Sequence, residues 1–237
     1  MAKTVGFACS INLQWIKQTI QLLDDGLDKE TFKKELNDYL GFEIEGPTRL
    51  RKTREILMNM WYYESAELSP IRKDALALID KYPEYIVPIS LCVLYTAYPV
   101  VADVCKYMGR LFEAHDEITN AMLKQKLYDD WGERGTLEAT SRRVTLTLKE
   151  LGILKEASRT RYTLNKQTIT NSEVINFVVS SIMKIDGDSY YSFSELHDFD
   201  LLFPFEYKIS KEDLMTNERF TVSTFGGEVS VSLNGNE

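Results

Sequence analysis

Apolar residues in the first half of the chain recur every three or four positions, the spacing that gathers them on one side of a helix. Leu13, Ile16, Ile20 and Leu23 make the first stripe, and Gly26 closes it. Asp28 is placed to cap a second helix carrying Phe32, Leu36, Tyr39 and Leu40, which Gly41 ends. Pro47 opens a third, PTRLRKTREILMNMWYY, with Leu50, Thr53, Leu57 and Trp61 along one face. SPIRKDALALIDKY predicts a fourth. From Tyr85 to Ala102, YIVPISLCVLYTAYPVVA holds no charge and approaches the length of a membrane span. Pro88 and Pro99 interrupt it, and Pro99 follows Tyr98 as the start of a new helix would, so two buried helices of a bundle core are predicted. DEITNAMLKQKLYDDW predicts a further helix capped by Asp116, with Ile118, Met122 or Leu123, and Leu127 facing inward.

The rhythm changes in WGERGTLEATSRRVTLTLKELGILKEASRTRYTL, which begins at Trp131. A helix from Thr140 to Leu151 would bring Val144, Leu148 and Leu151 within about 60° of one another, facing a core. Arg142, Thr145, Leu146 and Lys149 fall on the far side, and Gly152 sits where a left-handed residue ends a helix. Gly132 to Ala139 leaves room for only a short helix before it. ILKE and RYTL predict two strands around the turn ASRT. NSEVINFVVSSIM returns to helical spacing, capped by Asn171 or Ser172. SYYSFSELHDFDLLFPFEYKIS is aromatic and acidic, KEDLMTNER predicts a short helix, and FTVSTFGGEVSVSL predicts a hairpin turning at Gly226 and Gly227. The order predicts a mainly α chain: an N-terminal helical bundle over residues 1–115, a winged helix-turn-helix over 116–184, and an acidic C-terminal extension with a small β-hairpin element over 185–237.

Charge sharpens this picture. The 237 residues carry a formal charge of −8. From Ile185 onward eleven acids face only Lys208, Lys211 and Arg219, so the whole surplus lies in the last quarter and the first 184 residues are neutral. Between Trp131 and Lys166, Arg134, Arg142, Arg143, Lys149, Lys155, Arg159, Arg161 and Lys166 outnumber Glu133, Glu138, Glu150 and Glu156 by four. Such clustering is what phosphate contact requires. Arg142, Thr145, Leu146 and Lys149 suit a groove-facing surface, since arginine pairs with guanine and an apolar side chain meets a thymine methyl. Arg134 and Arg143 flank it as phosphate contacts, and Arg159 and Arg161 lie at the hairpin tip. Glu138 and Arg142 are also spaced as an i, i+4 pair, which would merely brace a solvated helix. Arg49, Arg51, Lys52 and Arg54 form a second basic patch at a helix start, against the helix dipole.

Other chemistry is weakly signalled. Cys9, Cys92 and Cys105 are odd in number and far apart, as reduced thiols in a cytoplasmic compartment would be. His115 and His197 stand without ligand-spaced neighbours, and no phosphate-cradling loop or nucleophile elbow is present. The expectation is a cytoplasmic, non-enzymatic protein without metal, cofactor, membrane segment or small-molecule substrate.

Four stretches together resemble a known family. TRLRKTREILMNMW, PISLCVLYTAYPVVADV, LKQKLYDDW followed by TSRRVTLTLKELGIL, and LLFPF are similar to elements of the BrxA-like proteins of bacterial BREX phage-defence systems. The resemblance implies an N-terminal bundle comparable to an RNA-binding antitermination factor, a C-terminal winged helix, and an accessory DNA-binding role. It points to Arg142, Arg143, Lys149, Arg159 and Arg161 on double-stranded DNA, with Arg49, Arg51, Lys52 and Arg54 as a second contact. The long acidic extension departs from the pattern. Two rival expectations stand beside it: a scaffold that joins other defence-system proteins, and RNA binding through the bundle's basic helix.

Overall fold

The two helices that share the uncharged stretch, residues 86–97 and 99–114, form the centre of the protein. A computed structural model describes residues 6–132, 135–225 and 228–234. In chain order its elements are α1 (Leu13–Asp24), α2 (Lys29–Gly41), α3 (Pro47–Trp61), α4 (Leu68–Lys81), α5 (Ile86–Ala97), α6 (Pro99–Ala114), β1 (Glu117–Thr119), α7 (Asn120–Trp131), α8 (Gly135–Glu150), β2 (Leu154–Ser158), β3 (Arg161–Leu164), β4 (Gln167–Thr168), α9 (Ser172–Asp186), β5 (Tyr191–Ser192), β6 (Phe205–Glu206), α10 (Lys211–Thr216), β7 (Phe220–Phe225) and β8 (Glu228–Leu233). The chain is mainly α, with small sheets. Ten of the twelve residues of α5 are buried, as a helix apolar on every side must be. It packs against α3, α4, α6 and α9. Among the described residues no helix is long and apolar enough to cross a membrane.

Local chemistry sets most boundaries. The Asp28 carboxylate accepts from the backbone N–H groups of Glu30 and Thr31 and starts α2. Asn171 does the same for Val174 at the head of α9, which Gly187 ends at φ 85°. Asp116 does not cap α7. The cap is Thr119, whose Oγ accepts from Met122 N–H, and residues 117–119 form β1. β1 pairs antiparallel with β3, setting Ile118 opposite Tyr162, and β3 also pairs with β2. The sheet order is therefore β1-β3-β2. The stretch after Gly132 is not a separate short helix; from Gly135 it is the opening of α8, and α7 is the helix before it.

Buried residues form one connected core from Phe7 to Val231, which crosses residues 115 and 185. The acidic extension is part of this core, contributing Leu196, Leu201, Leu202, Leu214, Phe220 and Val231. β6 pairs in parallel with β4, and β7 and β8 form the hairpin, with β5 on its far edge. Gly226 and Gly227, expected at the turn, lie outside the described residues. The extension docks on α6 at one close approach. A Cβ placed on Gly109 would lie 2.2 Å from the backbone oxygen of Asp200, a separation no side chain tolerates. Beside it, Arg110 Nε donates to the Asp200 carboxylate at 2.8 Å and Lys106 pairs with Asp186 at 2.9 Å.

Gly109→Ala should therefore push the extension off α6 and lower stability by about 1–3 kcal/mol. Urea unfolding of the variant beside the wild-type protein measures this, and an unchanged midpoint would contradict the close approach.

Candidate nucleic-acid interface

α8 is covered on two flanks. Leu137, Thr140, Ser141, Val144, Thr145, Thr147 and Leu148 are buried, and one flank rests on α6 and α7. The other receives the N-terminal segment: Ile11 N–H donates to Thr147 Oγ1 at 3.1 Å, and Arg143 Nη1 donates to the Phe7 carbonyl at 3.1 Å. A stripe remains for solvent, holding Arg142, Leu146, the partly exposed Lys149, and Glu150. Leu146 is 44% exposed, high for a leucine on a helix with so much buried surface.

Thr145 is not part of that stripe. It is 1% exposed, and its hydroxyl donates to the Ser141 carbonyl at 2.9 Å, with Asn120 Oδ1 on α7 at 3.3 Å. The projection treats α8 as a helix with one narrow buried side; α7, packed along the flank that holds Asn120, covers Thr145 as well. Its neighbours Thr140, Ser141 and Thr147 are small and polar, which lets other elements approach closely; the Ser141 hydroxyl donates to the Glu138 carbonyl, and Thr147 Oγ1 accepts from Ile11 N–H.

The β2–β3 hairpin stands next to α8. Lys155, Arg159 and Arg161 are exposed, and the pairing shifts between Glu156 and Ser158. Carboxylates of the same chain hold several of these cations. Arg142 Nη2 lies 2.8 Å from Glu138, which also receives Lys124 at 2.9 Å. Lys149 pairs with Glu156 on β2, and Arg161 lies 3.4 Å from Glu117 on β1. The hydrogen bond from Lys124 is the main cause holding the Glu138 carboxyl below its ordinary range. The bond to Glu156 raises the pKa of Lys149. Both pairs therefore stay charged near neutral pH. Arg159 and Lys155 have no carboxylate partner among the described residues. Arg134 lies outside the described residues.

The basic start of α3 divides. Arg54 is 15% exposed at its side chain and bonded to Glu55 and Asn37, which removes it from any contact surface. Arg49, Arg51 and Lys52 are exposed, with no carboxylate partner among the described residues. No acid occupies the first turn of α3, and Gly46 provides no side-chain cap. Phe42, in the turn that leads into this helix, is 89% exposed and is not singled out by the sequence pattern. The available signal was its position just after Gly41, outside the apolar stripe of α2.

The isolated side chains have structural surroundings. His197 Nδ1 lies 3.0 Å from the Phe193 carbonyl, and the ring stacks at 5° to Tyr207. Asp200 is bound by Arg110, and His115 ends α6. No family model matches the chain, and no curated protein or solved structure shows significant similarity to it.

Thr145→Val should cost about 1 kcal/mol by removing a buried hydrogen bond. Leu146→Ser, on the open stripe, should change stability by less than about 0.5 kcal/mol. Denaturant titration of the two variants measures the difference, and a reversed order would place Thr145 on the outside.

Proposed function

We propose that residues 116–184, together with α6 before them, contain a winged helix-turn-helix that holds duplex DNA, with α8 toward the groove and the β2–β3 hairpin as the wing. One observation carries the reading: helix, strand, two helices and hairpin follow in order, with β1 completing the sheet beside β3. In helix-turn-helix modules the second helix of the pair lies in the major groove. Here that helix is α8, and its open stripe presents Arg142, Leu146 and Lys149, with Arg143 at the margin. Arg159 and Arg161 extend the cationic surface along the hairpin, where a flanking phosphate run would lie. With only Arg142 and Leu146 suited to base edges, binding is mainly to the backbone and weakly selective for sequence.

The placement of the acidic extension supports this reading. It packs against α6, α9 and β4, and Lys106 and Arg110 take up two of its carboxylates. The internal pairing of Arg142, Lys149 and Arg161 opposes binding without preventing it, because exposed ion pairs are weak and exchange readily. The four stretches that resemble BrxA-like proteins extend the proposal to an accessory, non-enzymatic role in a bacterial BREX-like defence system. Exposed Leu146 favours a second reading, in which α8 docks on another protein of that assembly.

Duplex affinity should fall with salt at a log–log slope of about −4 to −6, as expected if five to seven phosphates are neutralised. Arg142→Glu with Arg159→Glu should abolish retention in a gel shift, and unchanged binding by the folded double variant would remove this surface from consideration. Glu138→Gln with Glu156→Gln should raise affinity by about threefold or more, since two carboxylates no longer compete with phosphate. A nuclease-resistant protein partner, lost with Leu146→Ser while duplex binding stays absent, would decide for docking.

A further inference from the structure

The turn joining α2 to α3 combines an exposed aromatic ring with cations that have no carboxylate partner among the described residues. Phe42 follows the last residue of α2 and is 89% exposed. Its neighbours are firmly placed. Ile44 is buried, Trp15 Nε1 donates to Glu43 Oε2 at 3.1 Å, and Gly46 takes φ 90°, a conformation other residues rarely adopt. Phe42 therefore projects from a built turn whose other apolar residues are covered. Five residues later α3 begins, and Arg49, Arg51 and Lys52 are all exposed. Arg49 and Lys52 share a face at i, i+3, with Arg51 about 100° around from Lys52. Arg54, the one basic residue of the group held by the chain itself, is turned to Glu55 and Asn37.

We infer that this corner binds single-stranded nucleic acid, with Phe42 stacking on a base and Arg49, Arg51 and Lys52 following the phosphates. Proteins that hold single strands without sequence preference use this pairing of an open aromatic face with a cationic track. A duplex offers phosphates to the same cations, but its bases are already stacked and leave Phe42 nothing to contact. An acidic peptide would satisfy the cations, but its carboxylate side chains offer no aromatic face for the ring to stack on. The inference rests on the corner alone and does not depend on duplex binding by α8.

The test uses the full chain and fluorescence anisotropy with labelled oligothymidine, oligouridine and a hairpin duplex. Phe42→Ala should weaken binding of both single strands by about tenfold or more and leave duplex affinity unchanged. Arg49→Glu with Arg51→Glu and Lys52→Glu should abolish single-strand binding. Phe42→Trp, unlike Phe42→Ala, should keep the wild-type single-strand affinity, with indole emission quenched by the single strands and not by the duplex. Arg142→Glu with Arg159→Glu should leave single-strand affinity intact, which separates failure at α8 from failure at the corner. All these side chains are on the surface, and unchanged melting temperatures verify that the variants fold. The inference is overturned if the wild-type chain does not bind single strands, or if Phe42→Ala binds them as the wild type does. Equal losses of single-strand and duplex affinity in the charge-reversal variant overturn it as well. Binding of polyglutamate with the same dependence on Phe42 overturns it too, and assigns the corner to an acidic protein segment.

Discussion

The hydrogen bond from Ile11 N–H to Thr147 Oγ1 joins residues 136 apart and fixes how the helical bundle meets α8. It is buried, so leaving either group without its partner would cost about 1–3 kcal/mol. Arg143 reinforces it one turn earlier by donating to the Phe7 carbonyl. Together these contacts close one flank of α8 and restrict its open surface to a stripe. The connection continues in the other direction. Asn12 accepts from Trp15 N–H to start α1, and Trp15 reaches Glu43 beside Phe42. Ile11 and Trp15 are four residues apart and so no more than about 14 Å. A short run of hydrogen bonds thus ties both candidate surfaces to one segment of chain.

The −8 charge is distributed by packing as well as by sequence. Eleven acids follow Ile185, yet this part of the chain is anchored by buried aliphatic and aromatic residues rather than held off by repulsion. Lys106 and Arg110 lie on the side of α6 that faces the extension, where they meet Asp186 and Asp200. Gly109, between them in sequence, lets the backbone of Asp200 come against the helix. The acids therefore neutralise cations of α6, and the main contacts of the extension are with α6, α9 and β4. A net charge computed over the whole chain conceals this separation.

Helical periodicity made α1 to α6 and α9 legible because one buried face per helix leaves a 3.6-residue trace in the sequence. Pro47, Asp28 and Asn171 marked starts because their effects are local. β1 was illegible for the opposite reason. EIT is three residues long, and its strand character comes from pairing with residues more than forty positions away, so Asp116 looked like a cap. Thr145 falls outside the projected core face because a projection finds the most apolar face of α8 and has no means of finding that α7, through Asn120, covers the polar flank beside it. Phe42 went unnoticed because an aromatic residue next to a helix end is ordinary in sequence, and only its exposure makes it informative. Glu138 was visible as an i, i+4 partner of Arg142. Glu156 and Glu117 became partners only once the strands were placed beside α8 and one another.

Those carboxylates decide how the α8 surface behaves toward any polyanion. Glu138, Glu156 and Glu117 between them hold Lys124, Arg142, Lys149 and Arg161. Each of these pairs is at least partly open to solvent, where salt screens the attraction over about 10 Å and the pairs contribute little to folding. A nucleic-acid backbone competes from a stronger position, because every phosphate neutralised also releases condensed counterions. The glutamates remain as like charges near the backbone after exchange, so the surface attracts less strongly than its count of basic residues suggests. That balance explains why charge clustering in the sequence overstates the available field, and why Arg159 and Lys155, which have no carboxylate partner among the described residues, are the cations best placed to make first contact.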